Sequence, residues 1–319
     1  MSAQNARTAA AGLDDLRDLL SDFRRHLTAR NKAPNTVESY CKIAGEFVDW
    51  LVEDGRSTEA PDVDYRVIEE YFVKLQTRTH HRTGKALSAA YVAKHYRSLQ
   101  QFWRWLAETE QVVDVSPMVK TSPPDVPEQP VPVLTENQLR DLLATTEGRT
   151  FENVRDRAIM LLFVDTPSRL GEVAPVDVDD FDFDAAVVNV MGKGRRARAM
   201  PFGATTGEAL RRYFRARARH KYGSKTNRAW VGRQGPLTEF GIRQMLNRRA
   251  ADAGVPSIHP HLFRHTFSHR WLADGGQEQD LMRLAGWKSR QMLARYGASA
   301  ADERARDAHR KTNLTDRLL

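Results

Sequence analysis

Residues 259–276 read HPHLFRHTFSHRWLADGG and predict one helix, with Pro260 in its first turn. On such a helix His261 and Arg264 are three positions apart, so they share a face with their Cβ atoms roughly 5–6 Å apart. Apolar residues on the same helix can pack against a core, namely Leu262, Phe263, Phe267 and Trp271. The stretch therefore predicts a packed helix that presents an imidazole beside a guanidinium, two groups suited to proton transfer and to binding phosphate.

Four other short segments of the C-terminal half carry candidate functional residues. TPSRLGE at 166–172 follows an apolar helical stretch and contains Arg169 three residues before Glu172. In MGKGRRARAMPF, at 191–202, a Gly-Lys-Gly turn after a valine-rich run predicts a β-hairpin with Lys193 at its tip. The GxxxxGK[ST] pattern of nucleotide-binding phosphate loops is absent. The remaining segments are AGWKS at 285–289, with Trp287, and ARYGAS at 294–299, with Tyr296.

Taken singly, each candidate also has a structural explanation. Arg169 suits a surface ion pair with Glu172, and Lys193 suits an ordinary turn. Trp287 and Tyr296 suit packed rings, because large aromatic side chains are mostly buried. The functional interpretation therefore depends on the order and spacing of the whole set.

That order and spacing resembles the tyrosine recombinases, a family of phage integrases, bacterial chromosome-dimer recombinases and transposon integrases. The family pattern is an Arg with an acid three residues later, a Lys in a hairpin turn, H-x-x-R, an L-x-G-H/W segment, and a Tyr about nine residues further on. This sequence offers, in that order, Arg169 with Glu172, Lys193, His261, Arg264, Trp287 and Tyr296. The resemblance covers nearly the whole chain, and it implies a helical core-binding domain followed by an integrase-type catalytic domain.

The segment before Arg169 departs from the family pattern. The family places Thr-Gly and an apolar residue before this Arg, whereas here Thr166 is followed by Pro167 and Ser168. If that Gly requires a positive φ, Pro cannot adopt it, because its ring holds φ near −65°. The placement of Arg169 is therefore where this site is expected to depart from the family pattern. Trp287 is a milder departure, since the family accepts either His or Trp there.

The resemblance implies a reaction that needs neither metal nor cofactor. About one tyrosine phenol in a thousand is ionised at pH 7, so an attacking Tyr296 requires help in losing its proton. In the implied mechanism Arg169 and Arg264 stabilise the charged transition state, His261 assists proton transfer, and Lys193 protonates the departing 5′ oxygen. Trp287 donates its indole N–H to a phosphate oxygen. The implied product is a 3′-phosphotyrosyl DNA intermediate, which a free 5′ hydroxyl then attacks.

Charge also points to DNA. The formal net charge is +8 and the sequence pI is about 9.7, which favours polyanionic partners. No Asp or Glu occurs from Tyr71 to Ala107, a stretch with seven basic residues. It predicts a surface laid against phosphates, although a solvated helix face would also fit. The residues expected to contact double-stranded DNA are Lys85, Lys94, Arg97 and Arg104 here, and Arg195 and Arg196 in the hairpin segment.

Periodicity predicts a mainly α protein with a small β-sheet, of the α+β class. We expect an N-terminal helical DNA-binding domain at 1–115, a proline-rich linker at 116–133, and a catalytic domain with its tail at 134–319. Capping patterns predict helix starts at Asn35, with Glu38, and at Thr135, with Gln138. No apolar run approaches the ~18 residues that span a bilayer, so a cytoplasmic protein is expected.

Three other functions remain open from the sequence. His261, His265 and His269 have a spacing that could hold a metal on one helix, as in a metal-dependent nuclease, although HExxH is absent. A decayed DNA-binding protein of the same fold would fit Pro167, and a type IB topoisomerase would share the chemistry. If the resemblance holds, the chain assembles on DNA as a homotetramer. Its C-terminal leucines, Leu314, Leu318 and Leu319, then dock on a neighbouring subunit, the alternative being docking on their own domain.

Overall fold

A computed structural model describes residues 14–80, 83–127, 131–192, 196–256, 258–287, 289–290, 293, 305–306, 309–310 and 315. The chain divides into two compact units, one up to residue 128 and the other from residue 129. Among the described residues, most regular structure is helical and the rest forms two small antiparallel sheets, which confirms the mainly α prediction. No helix within these ranges is long and apolar enough to cross a membrane.

The first unit is a helical bundle. Its α-helices are α1 (Leu16–Ala29), α2 (Pro34–Glu53), α3 (Tyr65–Thr77) and α4 (Ala89–Trp105), with short 3-10 turns at Ala60–Asp62 and Pro117–Lys120. Side chains cap α1, α3 and α4 at Asp15, Asp64 and Ser88. Aromatic rings fill the centre, where Phe47 meets Tyr71 edge-on at a centroid distance of 5.0 Å.

The start of α2 differs from the prediction. We expected a capping box from Asn35 to Glu38, but the helix begins at Pro34, after Ala33, with no side-chain cap. Proline suits a first helical position because its missing N–H has no partner there in any helix. The prediction at Thr135 is confirmed, since its side chain and that of Gln138 form a reciprocal capping box.

The second unit combines seven described α-helices with two small sheets. Its helices are α5 (Glu136–Ala144), α6 (Phe151–Asp165), α7 (Leu170–Val173), α8 (Ala204–Ala218), α9 (Glu239–Asp252), α10 (Pro260–Ala273) and α11 (Glu278–Ala285). Strands β1 (Phe181–Asp182), β2 (Val187–Gly192) and β3 (Arg196–Pro201) form an antiparallel sheet in that order. The pair β4 (Val231–Gly232) and β5 (Gly235–Pro236) forms a second one. Gly192 pairs with Arg196, which confirms the predicted β2–β3 hairpin.

Two buried features hold α10 and its neighbours in place. Phe263 of α10 is 1% exposed and stacks on Phe163 of α6 at 5.9 Å. Burying a ring of this kind contributes about 1.5–3 kcal/mol. Asp156 of α6 is fully buried and accepts hydrogen bonds from the guanidinium groups of both Arg155 and Arg249. The ion pair with Arg249 fastens α6 to α9, so the helices around the candidate site form a fixed frame.

Candidate active site

The predicted helix at residues 259–276 is present as α10, with Pro260 at its first position. Arg264 is 3% exposed, and its guanidinium is held by backbone carbonyls from two distant segments. One Nη atom donates to the carbonyl oxygen of Pro167, and the other donates to that of Ala285 at 2.7 Å. These bonds bring the 166–172 segment and the 285–289 segment to the same helix face.

Pro167 fits the site without a positive φ. Among the described residues other than glycine, positive φ occurs at Asn31, Gln111 and Ala186. Instead, the Pro167 carbonyl serves as an acceptor for Arg264, and the Ser168 hydroxyl lies 3.0 Å from that of Thr166. The Pro167–Ser168 segment is thus joined to α10 through Arg264, and Arg169 comes directly after it in the sequence.

Arg169 precedes the short helix α7 and is paired with Glu172. Its backbone N–H donates to Oε2 of Glu172 at 2.9 Å, and its Nη1 donates to Oε1 at 2.8 Å. The Glu172 side chain is 4% exposed, whereas that of Arg169 is 30% exposed. A buried carboxylate thus anchors a guanidinium that still reaches the surface of the site.

His261 is exposed and lies about one turn before the buried Arg264 on α10. Partial burial lowers its pKa, and Arg264, His259 and Arg169 lower it further, while Glu172 acts in the opposite direction. The carbonyl of Pro167, two residues before Arg169, binds Arg264, so the Arg169–Glu172 pair begins beside the same helix. His261 also stacks on His265 with ring centroids 6.2 Å apart, and burial lowers the pKa of His265 to about 4. His261 is therefore a neutral imidazole at pH 7, able to accept a proton.

Trp287 follows α11 and contacts Arg264. Gly286 ends the helix in the left-handed conformation at φ 64°, and the backbone N–H of Trp287 donates to the Met282 carbonyl. The ring is 7% exposed and packs with Leu272 and Leu281. The Arg264 guanidinium lies 5.2 Å from its centroid, within the range of a cation–π contact.

The structure thus brings together four of the six predicted catalytic residues, Arg169, His261, Arg264 and Trp287. Lys193 and Tyr296 lie outside the described residues, as do Arg195 and the three tail leucines. Arg196 is described as the first residue of β3, without its side chain. No group of three or more His, Cys, Asp or Glu placed to hold a metal is found within the described ranges.

The predicted DNA-contacting residues of the first unit are all exposed. Lys85 precedes α4, and Lys94, Arg97 and Arg104 lie on it. At 100° per residue these three helical positions fall within about 80° of one another. They therefore form one basic stripe along α4, as a surface that binds phosphates requires.

Sequence reasoning missed Arg198 on β3. This residue donates from Nη1 and Nη2 to the two carboxylate oxygens of Glu172, at 3.0 and 2.8 Å. Arg198 lies in the hairpin segment at 191–202, but its partner Glu172 lies 26 residues away in the sequence. Strand alternation could have placed Arg198 on the same face as the buried Met200.

Comparisons with known proteins bear on the identity of the chain. The sequence model described as "Phage integrase family" matches residues 132–303, and "Phage integrase, N-terminal SAM-like domain" matches residues 19–112. The chain is 30% identical over 290 residues to a protein named tyrosine recombinase XerC from Oceanobacillus iheyensis, covering 89% of this chain and 92% of that protein. A protein of the same name from Staphylococcus carnosus is 30% identical over 221 residues, 67% of this chain and 72% of that one.

Solved structures show the same fold. The XerH site-specific recombinase bound to palindromic difH substrate superimposes with a TM-score of 0.70 at 16% identity, covering 97% of this chain and 89% of that one. The Tn1549 transposon integrase in complex with transposon right end DNA gives a TM-score of 0.70 at 19% identity, covering 92% of this chain and 98% of that one. The family match spans more than half of the chain and agrees with the sequence relatives, which confirms the resemblance. The chain belongs to the phage integrase family and is a site-specific tyrosine recombinase.

Proposed function

We propose that Tyr296 attacks a phosphate of double-stranded DNA, forming a 3′-phosphotyrosyl bond and releasing a 5′ hydroxyl. A 5′ hydroxyl from another strand then attacks this bond, and the tyrosine leaves, so the number of phosphodiester bonds is conserved without ATP. One observation carries the proposal. Arg169, His261, Arg264 and Trp287 come from three separate segments of the chain and converge on one site.

The two arginines supply positive charge where the pentavalent transition state needs it. Arg264 is buried and held by two carbonyls, so its guanidinium is already oriented before substrate binds. Arg169 is anchored through Glu172 and partly exposed, which leaves it able to meet a non-bridging phosphate oxygen. Preorganised charge of this kind stabilises a transition state without reorganisation during the reaction.

Proton transfer is assigned to His261 and Lys193. The lowered pKa of His261 keeps its imidazole neutral at pH 7, so it can take the proton from the attacking phenol. Lys193 follows the last residue of β2 in the sequence, and its ammonium would protonate the departing 5′ oxygen. Trp287 would donate its indole N–H to a phosphate oxygen. All four described residues suit these roles, which favours an active enzyme over a decayed DNA-binding protein.

The partner is a double-stranded DNA recombination site. The basic stripe of α4, formed by Lys94, Arg97 and Arg104, would bind phosphates of the duplex together with Lys85, Arg195 and Arg196. Two proteins of the same fold, the XerH recombinase and the Tn1549 integrase, are described as bound to DNA. Recombination joins two duplexes, and we propose a cytoplasmic homotetramer on DNA whose C-terminal leucines dock on a neighbouring subunit.

A nicked suicide substrate tests the proposal. The unaltered chain should form a covalent protein–DNA adduct in excess EDTA, and Tyr296→Phe should bind the same DNA without forming it. Adduct from Tyr296→Phe would remove Tyr296 as the nucleophile. Loss of adduct in EDTA that added metal restores would favour a metal-dependent nuclease.

A further inference from the structure

Arg198 lies outside the proposed chemistry, yet it touches two segments of the site. From β3 its guanidinium binds both carboxylate oxygens of Glu172, at 3.0 and 2.8 Å. The same guanidinium lies against Gly286, the residue before Trp287. The side chain is 14% exposed, so these contacts are largely shielded from water. Arg198 therefore joins the hairpin to the Arg169–Glu172 segment and to the turn that carries Trp287.

Glu172 is an acceptor shared by two arginines. It receives two hydrogen bonds from Arg169, one from the backbone and one from the guanidinium, and two more from Arg198. A buried carboxylate with its acceptor sites occupied in this way has one stable orientation. Because Arg169 is anchored to the same two oxygens, the bonds from Arg198 also fix the orientation of Arg169.

The charges of this cluster have a second consequence. Arg169 and Glu172 together carry no net formal charge, so the pair alone would attract a phosphate weakly. Arg198 gives the three-residue cluster a net charge of +1, by adding one cation to a neutral pair. Its contact with Glu172 thus offsets the carboxylate and preserves the field of Arg169 at the phosphate.

Gly286 makes room for Arg198. A Cβ atom at this position would overlap Nη1 of Arg198 and lie 3.3 Å from its Cζ. The residue also has φ +64°, a conformation that side chains other than glycine rarely adopt. Gly286 therefore serves two purposes, since it ends α11 and leaves the space that the guanidinium fills.

We propose that Arg198 is a positioning residue for strand cleavage. It orients Arg169 through Glu172, and it holds the turn that carries Trp287 in place through its contact with Gly286. The proposal rests on the role of Arg169 in the proposed function. Arg198 touches no reacting atom in this scheme and affects only the one phosphate that Arg169 contacts. Its removal should therefore lower the rate of cleavage far more than the affinity for a DNA half-site, to which many other phosphate contacts contribute.

The test is a double-mutant cycle on single-turnover formation of the covalent adduct. Arg198→Met should slow cleavage on the order of a hundredfold, the size of effect expected when a catalytic group is misplaced by about 1 Å. Arg198→Lys should recover part of the rate because it keeps the charge but cannot bind both oxygens at once. In an Arg169→Lys background, Arg198→Met should slow cleavage far less, since residues that act through one another are not additive.

Two glycine variants provide a matched control. Gly286→Ala introduces both backbone strain and the overlap with Arg198, and its effect on cleavage should not add to that of Arg198→Met. Gly254→Ala introduces the same strain, at φ +63°, at a position where nothing described lies within 4 Å of the added Cβ. Gly254→Ala should therefore lower thermal stability through backbone strain alone and leave the cleavage rate unchanged.

The outcomes separate the two proposals. If the unaltered chain forms no adduct, the proposed function is wrong, and the positioning role of Arg198 is wrong with it. If the unaltered chain forms the adduct and Arg198→Met cleaves at the same rate, only the positioning role is wrong. Equal slowing by Arg198→Met in both Arg169 backgrounds, or an Arg198→Lys rate no better than that of Arg198→Met, would also overturn it.

Discussion

The guanidinium of Arg264 lies 5.2 Å from the centroid of the Trp287 ring and donates to the carbonyl oxygen of Ala285, two residues before it, at 2.7 Å. The arginine thus holds the turn by a hydrogen bond and covers its aromatic residue. A cation over a partly desolvated ring contributes about 0.5–2 kcal/mol. The ring face of Trp287 thus contributes to stability, whereas the proposed mechanism uses only its indole N–H.

Trp287→Phe should separate these two parts. Phenylalanine retains an aromatic face for Arg264 but has no N–H, so the protein should fold and bind DNA while cleavage slows about tenfold or more, the loss expected for one hydrogen bond to a charged group. Trp287→Ala should in addition lose about 3–5 kcal/mol of unfolding free energy, because the ring is buried. Thermal unfolding and single-turnover cleavage measure the two effects. An unchanged cleavage rate in Trp287→Phe would show that the indole N–H is not used.

The rate of cleavage should depend on pH through His261. Its pKa lies below the ordinary value of 6.5, so the ring is neutral at pH 7 and becomes protonated only as the pH falls through that lowered pKa. In the proposed mechanism the neutral ring accepts the proton of Tyr296. Cleavage should therefore be constant near pH 7 and fall by about tenfold per pH unit below the pKa. His261→Gln should cleave slowly, and its cleavage rate should no longer fall as the pH drops through this range.

Half-site binding measured over the same pH range is the control for His261. Affinity should change much less than the cleavage rate, because the arginine side chains expected to bind phosphates keep their charge over this pH range. A cleavage rate that rises as the pH falls from 7 would instead show that His261 acts as a cation.

Local patterns in the sequence were sufficient to predict single elements of the site, whereas the full set of residues was implied by the family resemblance. His261 and Arg264 share a face because three residues nearly complete a helical turn, and the β2–β3 hairpin follows from its valines and its Gly-Lys-Gly turn. The contacts that complete the site join distant positions. Arg264 binds Pro167 across 97 residues, and Arg198 binds Glu172 across 26. Periodicity describes one element at a time, so it carries no information on which elements meet.

The buried Asp156 cluster illustrates the same limit and gives a test of stability. Asp156→Asn should lower the unfolding free energy by about 3–5 kcal/mol, because the buried Arg155 and Arg249 lose their common carboxylate. Asp252→Asn, an exposed position on the same helix as Arg249, should change it by less than about 0.5 kcal/mol. Urea unfolding measures both, and an Asp156→Asn protein as stable as the control would show that the cluster contributes little.

Neutralising the basic stripe of α4 should weaken DNA binding. Changing Lys94, Arg97 and Arg104 together to Gln should reduce affinity and flatten its dependence on salt by up to roughly one unit of slope per lost phosphate contact. A matched triple at Arg25, Arg30 and Lys32, which are exposed on or just after α1, removes the same charge from another surface. Affinities measured at several salt concentrations compare the two. If the α4 triple changes the salt dependence of DNA affinity no more than the α1 triple does, α4 is only a solvated face.

The role of Lys193 can be tested by changing the leaving group. Lys193→Ala should slow cleavage of ordinary DNA by about 10²–10⁴-fold, because an alkoxide is a poor leaving group without a general acid. When sulfur replaces the bridging 5′ oxygen, the departing thiolate needs no proton, since a thiol has a pKa near 8.5. The same variant should therefore cleave the sulfur-substituted DNA almost as fast as the unaltered chain does. Lys221→Ala, at an exposed lysine after α8, should cleave both substrates normally. An equal loss on both substrates in Lys193→Ala would make Lys193 a phosphate contact and leave the identity of the general acid open.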